Sequence, residues 1–186
     1  MIESCFLLLI LYSVTNLFNE FNFSNNLVNR EEKRMDKHVF TSKLEMTVPW
    51  SDCDPAGISY FPRNFDWYVN SYMKWLAEQD LPYMETFHHQ GIGIVCLKAE
   101  SEYKQMVKPT EVITVHTALS SLTRTRLQFT YKVEKENGEL AANGVTNHTF
   151  VNEKGKPVNL KKKLPAVWEK LDRIYRSSFT AEGQQE

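Results

Sequence analysis

Two carboxylates stand close together in the run Trp50-Ser51-Asp52-Cys53-Asp54-Pro55-Ala56-Gly57-Ile58-Ser59-Tyr60-Phe61-Pro62, just ahead of a segment patterned as a helix. A carboxylate can attack an acyl carbon or take a proton from water. The unpaired N–H groups and the positive dipole end of a helix can hold the oxyanion that either reaction creates. Pro55 fixes its own φ and biases Asp54 toward extended backbone, while Gly57 gives the freedom that a sharp turn needs. Pro62 suits a first helical position. From Arg63 to Gln79 apolar or aromatic residues recur at Phe65, Tyr68, Val69, Tyr72, Met73 and Leu76, a spacing that predicts one buried helix face.

The same residues also allow plainer readings. Asp-x-Asp-Pro-x-Gly makes a turn in which side chains bond their own backbone, with no chemistry implied. Asp52 and Asp54 make a poor metal pair without a nearby His or further acid, so no metal is expected. Cys53 lies between two acids that disfavour its thiolate. His88 and His89 are adjacent, point apart and read as solvated loop; His116 and His148 fall in strands as hydrogen-bonded structural residues. Trp67, Tyr68, Tyr72 and Trp75 offer a stacking platform, but the simpler reading is core and dimer interface.

The elements that position the loop follow from the pattern. Phe40–Val48 predicts a strand with Phe40, Leu44, Met46 and Val48 on one side. After the helix, Leu81–Phe87 predicts a short helical turn, and Gly91-Ile92-Gly93 breaks it before a strand over Ile94–Tyr103. Lys108-Pro109 marks a turn. Strands are predicted over Val112–Leu122, Arg126–Glu134 and Leu140–Val151, the last two joined at the hairpin signal Asn137-Gly138. A final helix is predicted over Pro165–Arg176. One long helix inserted in an antiparallel meander buries its apolar face only against the sheet, which makes the class α+β. Such a sheet leaves an edge to be managed, so a homodimer or homotetramer is expected.

The 186 residues suit one domain, and 42% hydrophobic content is ordinary for a globular chain. With 22 basic and 23 acidic residues the net charge is -1, which gives no global field for nucleic acid or anionic lipid. The cysteines Cys5, Cys53 and Cys96 are odd in number and scattered, consistent with a reducing, cytoplasmic compartment. Residues 1–34 differ from the rest. Their apolar run, Cys5–Tyr12, is too short to span a bilayer and lacks a basic leader, so a signal peptide is only the second reading. The first is that Met35 is the true start, because Arg-Glu-Glu upstream of it can be encoded by a purine-rich string resembling a bacterial ribosome-binding site. The domain is therefore expected over 35–177, followed by a polar tail over 178–186.

Asp-Cys-Asp-Pro-Ala-Gly-Ile, followed by Pro62, resembles the signature of the hotdog-fold 4-hydroxybenzoyl-CoA thioesterase-like proteins, and the likeness in layout covers about Lys37–Leu171. It implies a five-stranded antiparallel sheet wrapped around one long helix, with a C-terminal helix. It also implies an acyl-CoA thioesterase that needs no cofactor, with Asp54 as nucleophile or general base and Asp52 outside the catalysis. Backbone N–H groups near Tyr60 and Phe61 would polarise the carbonyl. Phe61 holds the position of an aromatic at the family's oxyanion turn. Coenzyme A carries phosphates, and Arg124, Arg126, Lys161, Lys162 and Lys163 fall in regions that supply phosphate contacts in the family, matching it in charge though not residue for residue. The alternatives are an acyl-carrier-protein thioesterase and a non-catalytic acyl-CoA-binding module. A hydratase would want a His after Asp54 in the loop, and the loop has none.

Overall fold

The computed structural model describes residues 40–180, so the expectations for residues 1–34, for a start at Met35 and for the chain beyond Thr180 lie outside the described residues. Five strands form one sheet in the order β1-β3-β4-β5-β2: β1 (Ser42–Thr47), β2 (Ile92–Tyr103), β3 (Val112–Leu122), β4 (Arg126–Lys135) and β5 (Leu140–Asn152). Every pairing is antiparallel. Between β1 and β2 come the long helix α1 (Arg63–Glu78) and the single turn α2 (Tyr83–Thr86). After β5 come the short α3 (Leu160–Lys163) and α4 (Pro165–Thr180), which runs past the expected end at Arg176 and buries Ser178. This is the α+β hotdog arrangement. Among the described residues no helix is long and apolar enough to cross a membrane.

The β4–β5 hairpin closes where Asn137-Gly138 predicts it. Gly138 adopts φ +83°, the Asn137 carboxamide accepts the Glu139 N–H at 3.0 Å, and the Gly138 N–H reaches Lys135 O at 2.9 Å.

Helix α1 buries Asn64, Trp67, Tyr68, Ser71, Tyr72, Trp75 and Leu76, whereas Val69, expected on the buried face, is 45% exposed. The buried stripe is turned by its polar members. Asn64 and Ser71 are polar, and the sheet offers them partners in Ser101 and Thr117. Beneath the helix Tyr68 stacks on Tyr131 with ring centroids 4.3 Å apart, and Tyr72 stacks on Phe129 at 5.4 Å. Burying side chains such as Phe129 and Phe150 stabilises the fold by about 1.5–3 kcal/mol each. Tyr68 lies this close because Gly144 has no side chain: a Cβ there would stand 2.3 Å from the Tyr68 ring.

Strand β2 carries a bulge between Cys96 and Lys98. Before it, Ile94 and Cys96 pair with Phe150 and His148. After it, Ala99, Ser101 and Tyr103 pair with Thr146, Gly144 and Ala142. Strand side chains alternate, so the inserted residue moves the odd-numbered positions onto the face that meets α1.

Candidate active site

The loop from Trp50 to Pro62 opens with a 3₁₀ turn over Trp50–Asp52 and is closed by an isolated bridge between Cys53 and Ser59. Inside it the Gly57 N–H bonds Asp54 O at 2.9 Å, the Asp54 N–H bonds Ile58 O at 3.0 Å, and Gly57 takes φ +75°. The loop is fastened to the segment before β3, where the Val48 N–H reaches Glu111 O and the Ser59 N–H reaches Val107 O.

The two carboxylates have different surroundings. Asp52 Oδ2 accepts the indole N–H of buried Trp67 at 3.1 Å, and its Oδ1 lies 3.6 Å from Arg63 Nε. Asp54 is half-buried, and its Oδ1 accepts the Ala56 N–H at 2.8 Å. The Asp54 Oδ2 has no hydrogen-bond partner among the described residues. The backbone-bonding turn and an unbonded carboxylate oxygen therefore coexist in one residue. Burial, and after it the Asp52 and Asp54 carboxylates, pushes the Cys53 thiol up, which keeps it protonated.

At the helix start the two expected oxyanion donors separate. The Tyr60 N–H is spent on Asp52 O at 2.7 Å, so Tyr60 could serve only by giving up that bond, whereas the Phe61 N–H has no acceptor among the described residues. Pro62 is the N-cap rather than the first helical residue, and because proline carries no N–H the Phe61 amide stands alone at this point of the turn. Tyr60, Phe61 and Met106 are exposed at or beside the loop, while Trp67 is only 1% exposed and belongs to the core. Sequence reasoning missed Arg63 as a partner of Asp52 and missed Tyr103, whose hydroxyl donates to Phe61 O at 2.6 Å.

The expected phosphate contacts lie elsewhere. Arg124 lies in the β3–β4 turn and Arg126 opens β4, and the Leu160 N–H bonds Arg124 O at 2.8 Å, so folding brings the Lys161–Lys163 run beside the arginines. A cleft of about 490 Å³ at this end is lined by His89, Gln90, Asn152, Lys154 and Lys163, with Glu153 opposing their charge. However, the Asp54 loop adjoins the first residue of β3 and Arg124 follows the last. The length of β3 puts roughly 34 Å between these ends, so within one chain the cations do not border the Asp54 loop.

The two strand histidines, His116 and His148, take structural places. His148 is buried, its Nε2 lies 2.8 Å from Thr146 Oγ1, and burial pushes its pKa down to about 4. His116 Nε2 lies 3.2 Å from a Glu134 carboxylate oxygen, and burial is the main cause of its lowered pKa. Among the described residues no group of three or more His, Cys, Asp or Glu is placed to hold a metal ion.

Comparison with known proteins places the chain in a family. A protein of Aquifex aeolicus (strain VF5) named "Putative esterase" is 29% identical over 120 residues, which span 64% of this chain and 91% of that one. The DHNA-CoA thioesterase of Staphylococcus aureus shares the fold with a TM-score of 0.71 at 23% identity, over 78% of this chain and 96% of the other. A 1,4-dihydroxy-2-naphthoyl-CoA thioesterase from Synechocystis does so with a TM-score of 0.62 at 19% identity, over 70% and 97%. The sequence profile of the thioesterase-like superfamily matches residues 48–171, from the last residues before the Asp54 loop to the middle of α4, and the chain belongs to that superfamily.

Proposed function

We propose that this protein hydrolyses acyl-CoA thioesters to the free acid and coenzyme A, with Asp54 as the reacting carboxylate and the Phe61 N–H as the oxyanion donor. The observation that carries this reading is the pairing of a carboxylate having one oxygen fixed and one free with an unpaired amide at the adjoining helix start. In the nucleophilic route Asp54 Oδ2 bonds to the thioester carbon and the carbonyl electrons move onto oxygen, toward the Phe61 N–H. The C–S bond then breaks, coenzyme A leaves as thiolate, and water hydrolyses the resulting anhydride. In the general-base route Asp54 takes a proton from the attacking water instead. A thiolate leaves without much acid help, so the reaction asks for no histidine. Metal and cofactor have no part in either route.

The distance between Asp54 and the basic end points to a second copy. Among the described residues β2 pairs only with β5, which leaves its other edge open. Antiparallel pairing of that edge with its symmetry mate would bring the Ile92 end of one chain, with Lys163, His89 and Arg124 nearby, toward the Tyr103 end of the other. The site of this homodimer, alone or within a tetramer, would take Asp54 from one protomer and phosphate-binding cations from its partner. That the neighbours from Staphylococcus aureus and Synechocystis are named for CoA substrates supports coenzyme A over acyl carrier protein as the donor. An acyl-CoA substrate also fits the cytoplasmic setting read from the cysteines.

The test is thiol release from a panel of aromatic and C2 to C18 acyl-CoAs, run in parallel with acyl carrier protein thioesters. Turnover of CoA thioesters in preference to carrier-protein thioesters is expected. Preference for the carrier protein would move the assignment to that donor, and tight acyl-CoA binding in calorimetry with no turnover would make the protein a binding module.

A further inference from the structure

We propose that Tyr103 and Ser101, at the end of β2, are positioning residues that aim the Phe61 N–H; the inference rests on the reading of that amide as the oxyanion donor. The helical ladder passes Phe61 by. The Arg63 N–H goes to Tyr60 O at 2.8 Å and the Phe65 N–H to Pro62 O at 3.0 Å, so the hydrogen-bond donor to Phe61 O among the described residues is the Tyr103 hydroxyl at 2.6 Å. Phe61 O belongs to the amide joining Phe61 to Pro62, which has no N–H. Tyr103 therefore adds nothing to the helix; it fixes the rotation of that peptide and with it the direction of the Phe61 N–H one peptide earlier.

Two residues back on the same strand Ser101 holds the first turns of α1. Its Oγ accepts the Asn64 carboxamide N–H at 3.2 Å and lies 2.9 Å from the Tyr68 hydroxyl. Asn64 is 2% exposed, so this is a buried side chain with its donor satisfied from β2. Both grips depend on the bulge at Cys96/Lys98. With uninterrupted alternation Glu100 and Glu102 would face α1, and Ser101 and Tyr103 would point away. The chain is then fixed again just past Tyr103, where the Lys104 and Gln105 N–H groups both bond Ala141 O. The strand end that borders the open edge of the sheet thus sets the geometry of the oxyanion turn. A shift of about 1 Å in a reacting group can cost on the order of a hundredfold in rate.

The variant that isolates this role is Tyr103→Phe, which keeps the ring and removes the donor. With the acyl-CoA best turned over by the wild-type protein, kcat is expected to fall about tenfold or more, within the range for a misaligned oxyanion donor. KM, oligomeric state and Tm should stay near wild type. Ser101→Ala should lower kcat in the same sense and Ser101→Thr, which restores the hydroxyl, should recover it. Independently of turnover, the amide resonance of Phe61 in a ¹⁵N-phenylalanine-labelled sample should shift in Tyr103→Phe. An unmoved Phe61 resonance overturns the proposal whether or not the protein is a thioesterase. So does a kcat within twofold of wild type, a rise in KM alone, or a fall in kcat matched by a fall in Tm. A wild-type protein inactive on every thioester, with the Phe61 resonance still shifted by Tyr103→Phe, refutes the functional reading and leaves the positioning intact.

Discussion

At the Asp54 end of the sheet the struts are directional hydrogen bonds, from Trp67 to Asp52, from the Ala56 amide to Asp54 and from Tyr103 to Phe61, with the Arg63 charge 3.6 Å from Asp52 beside them. At the Arg124 end the lysines and arginines stand exposed, and what joins them is a backbone bond from Leu160 to Arg124. The difference matches two tasks of the proposed reaction. Attack on a carbonyl needs atoms held to fractions of an ångström, which hydrogen bonds of fixed geometry supply. Attraction of phosphates needs only charge within a Debye length, and mobile side chains in water supply that at little cost in stability.

The strongest perturbation expected acts on the sheet that carries both ends: acid, through a histidine of β5 packed against Tyr72 of α1. His148 is buried with its pKa pushed down to about 4 from an ordinary 6.5. Between these values the unfolded chain binds more protons than the folded one, so stability rises with pH across the window. The contribution is complete above about pH 6.5 and lost as pH falls toward 4, on the order of 3 kcal/mol in all. Urea midpoints at pH 7 and pH 5 should fall with acid in the wild type and much less in His148→Gln; equal losses in the two proteins would contradict this.

Next in size is Gly144→Ala. Its methyl would meet the fully buried Tyr68 ring at 2.3 Å, and Tyr68 cannot swing away without losing both Tyr131 and Ser101. Overpacking of this kind costs about 1–3 kcal/mol, visible as a lower denaturant midpoint with unchanged slope. A midpoint equal to wild type would mean that Tyr68 is less tightly seated than its contacts imply.

The smallest effect belongs to the other end. Reversing charge with Arg124→Glu and Lys163→Glu together should raise KM for acyl-CoA several-fold, most at low salt, with kcat and stability close to wild type. A change in kcat that ignores ionic strength would mean that these residues also hold geometry, and the contrast between the two ends would collapse.

What was legible in the sequence was local. Asp54, Pro55 and Gly57 describe their own turn, Asn137-Gly138 describes its hairpin, and the 3.6-residue period from Phe65 to Leu76 gives α1. The period placed Val69 inside because it weighs only apolar side chains, whereas Asn64 and Ser71 are drawn in by hydroxyls on β2 and β3. The link from Tyr103 to Phe61 spans 42 positions and depends on a bulge that no residue type announces. The basic residues were identifiable by charge alone; which end of the sheet they occupy is decided by strand order and length, and linear sequence carries neither directly.

One substitution separates Asp54, the proposed reacting carboxylate, from Asp52. Asp54→Asn keeps an oxygen for the Ala56 N–H and removes the charge from the free position, so it should retain the wild-type oligomer and Tm while thiol release from acyl-CoA falls by a factor of about a thousand or more. An Asp54→Asn protein that keeps most of the wild-type kcat would exclude Asp54 as the reacting carboxylate.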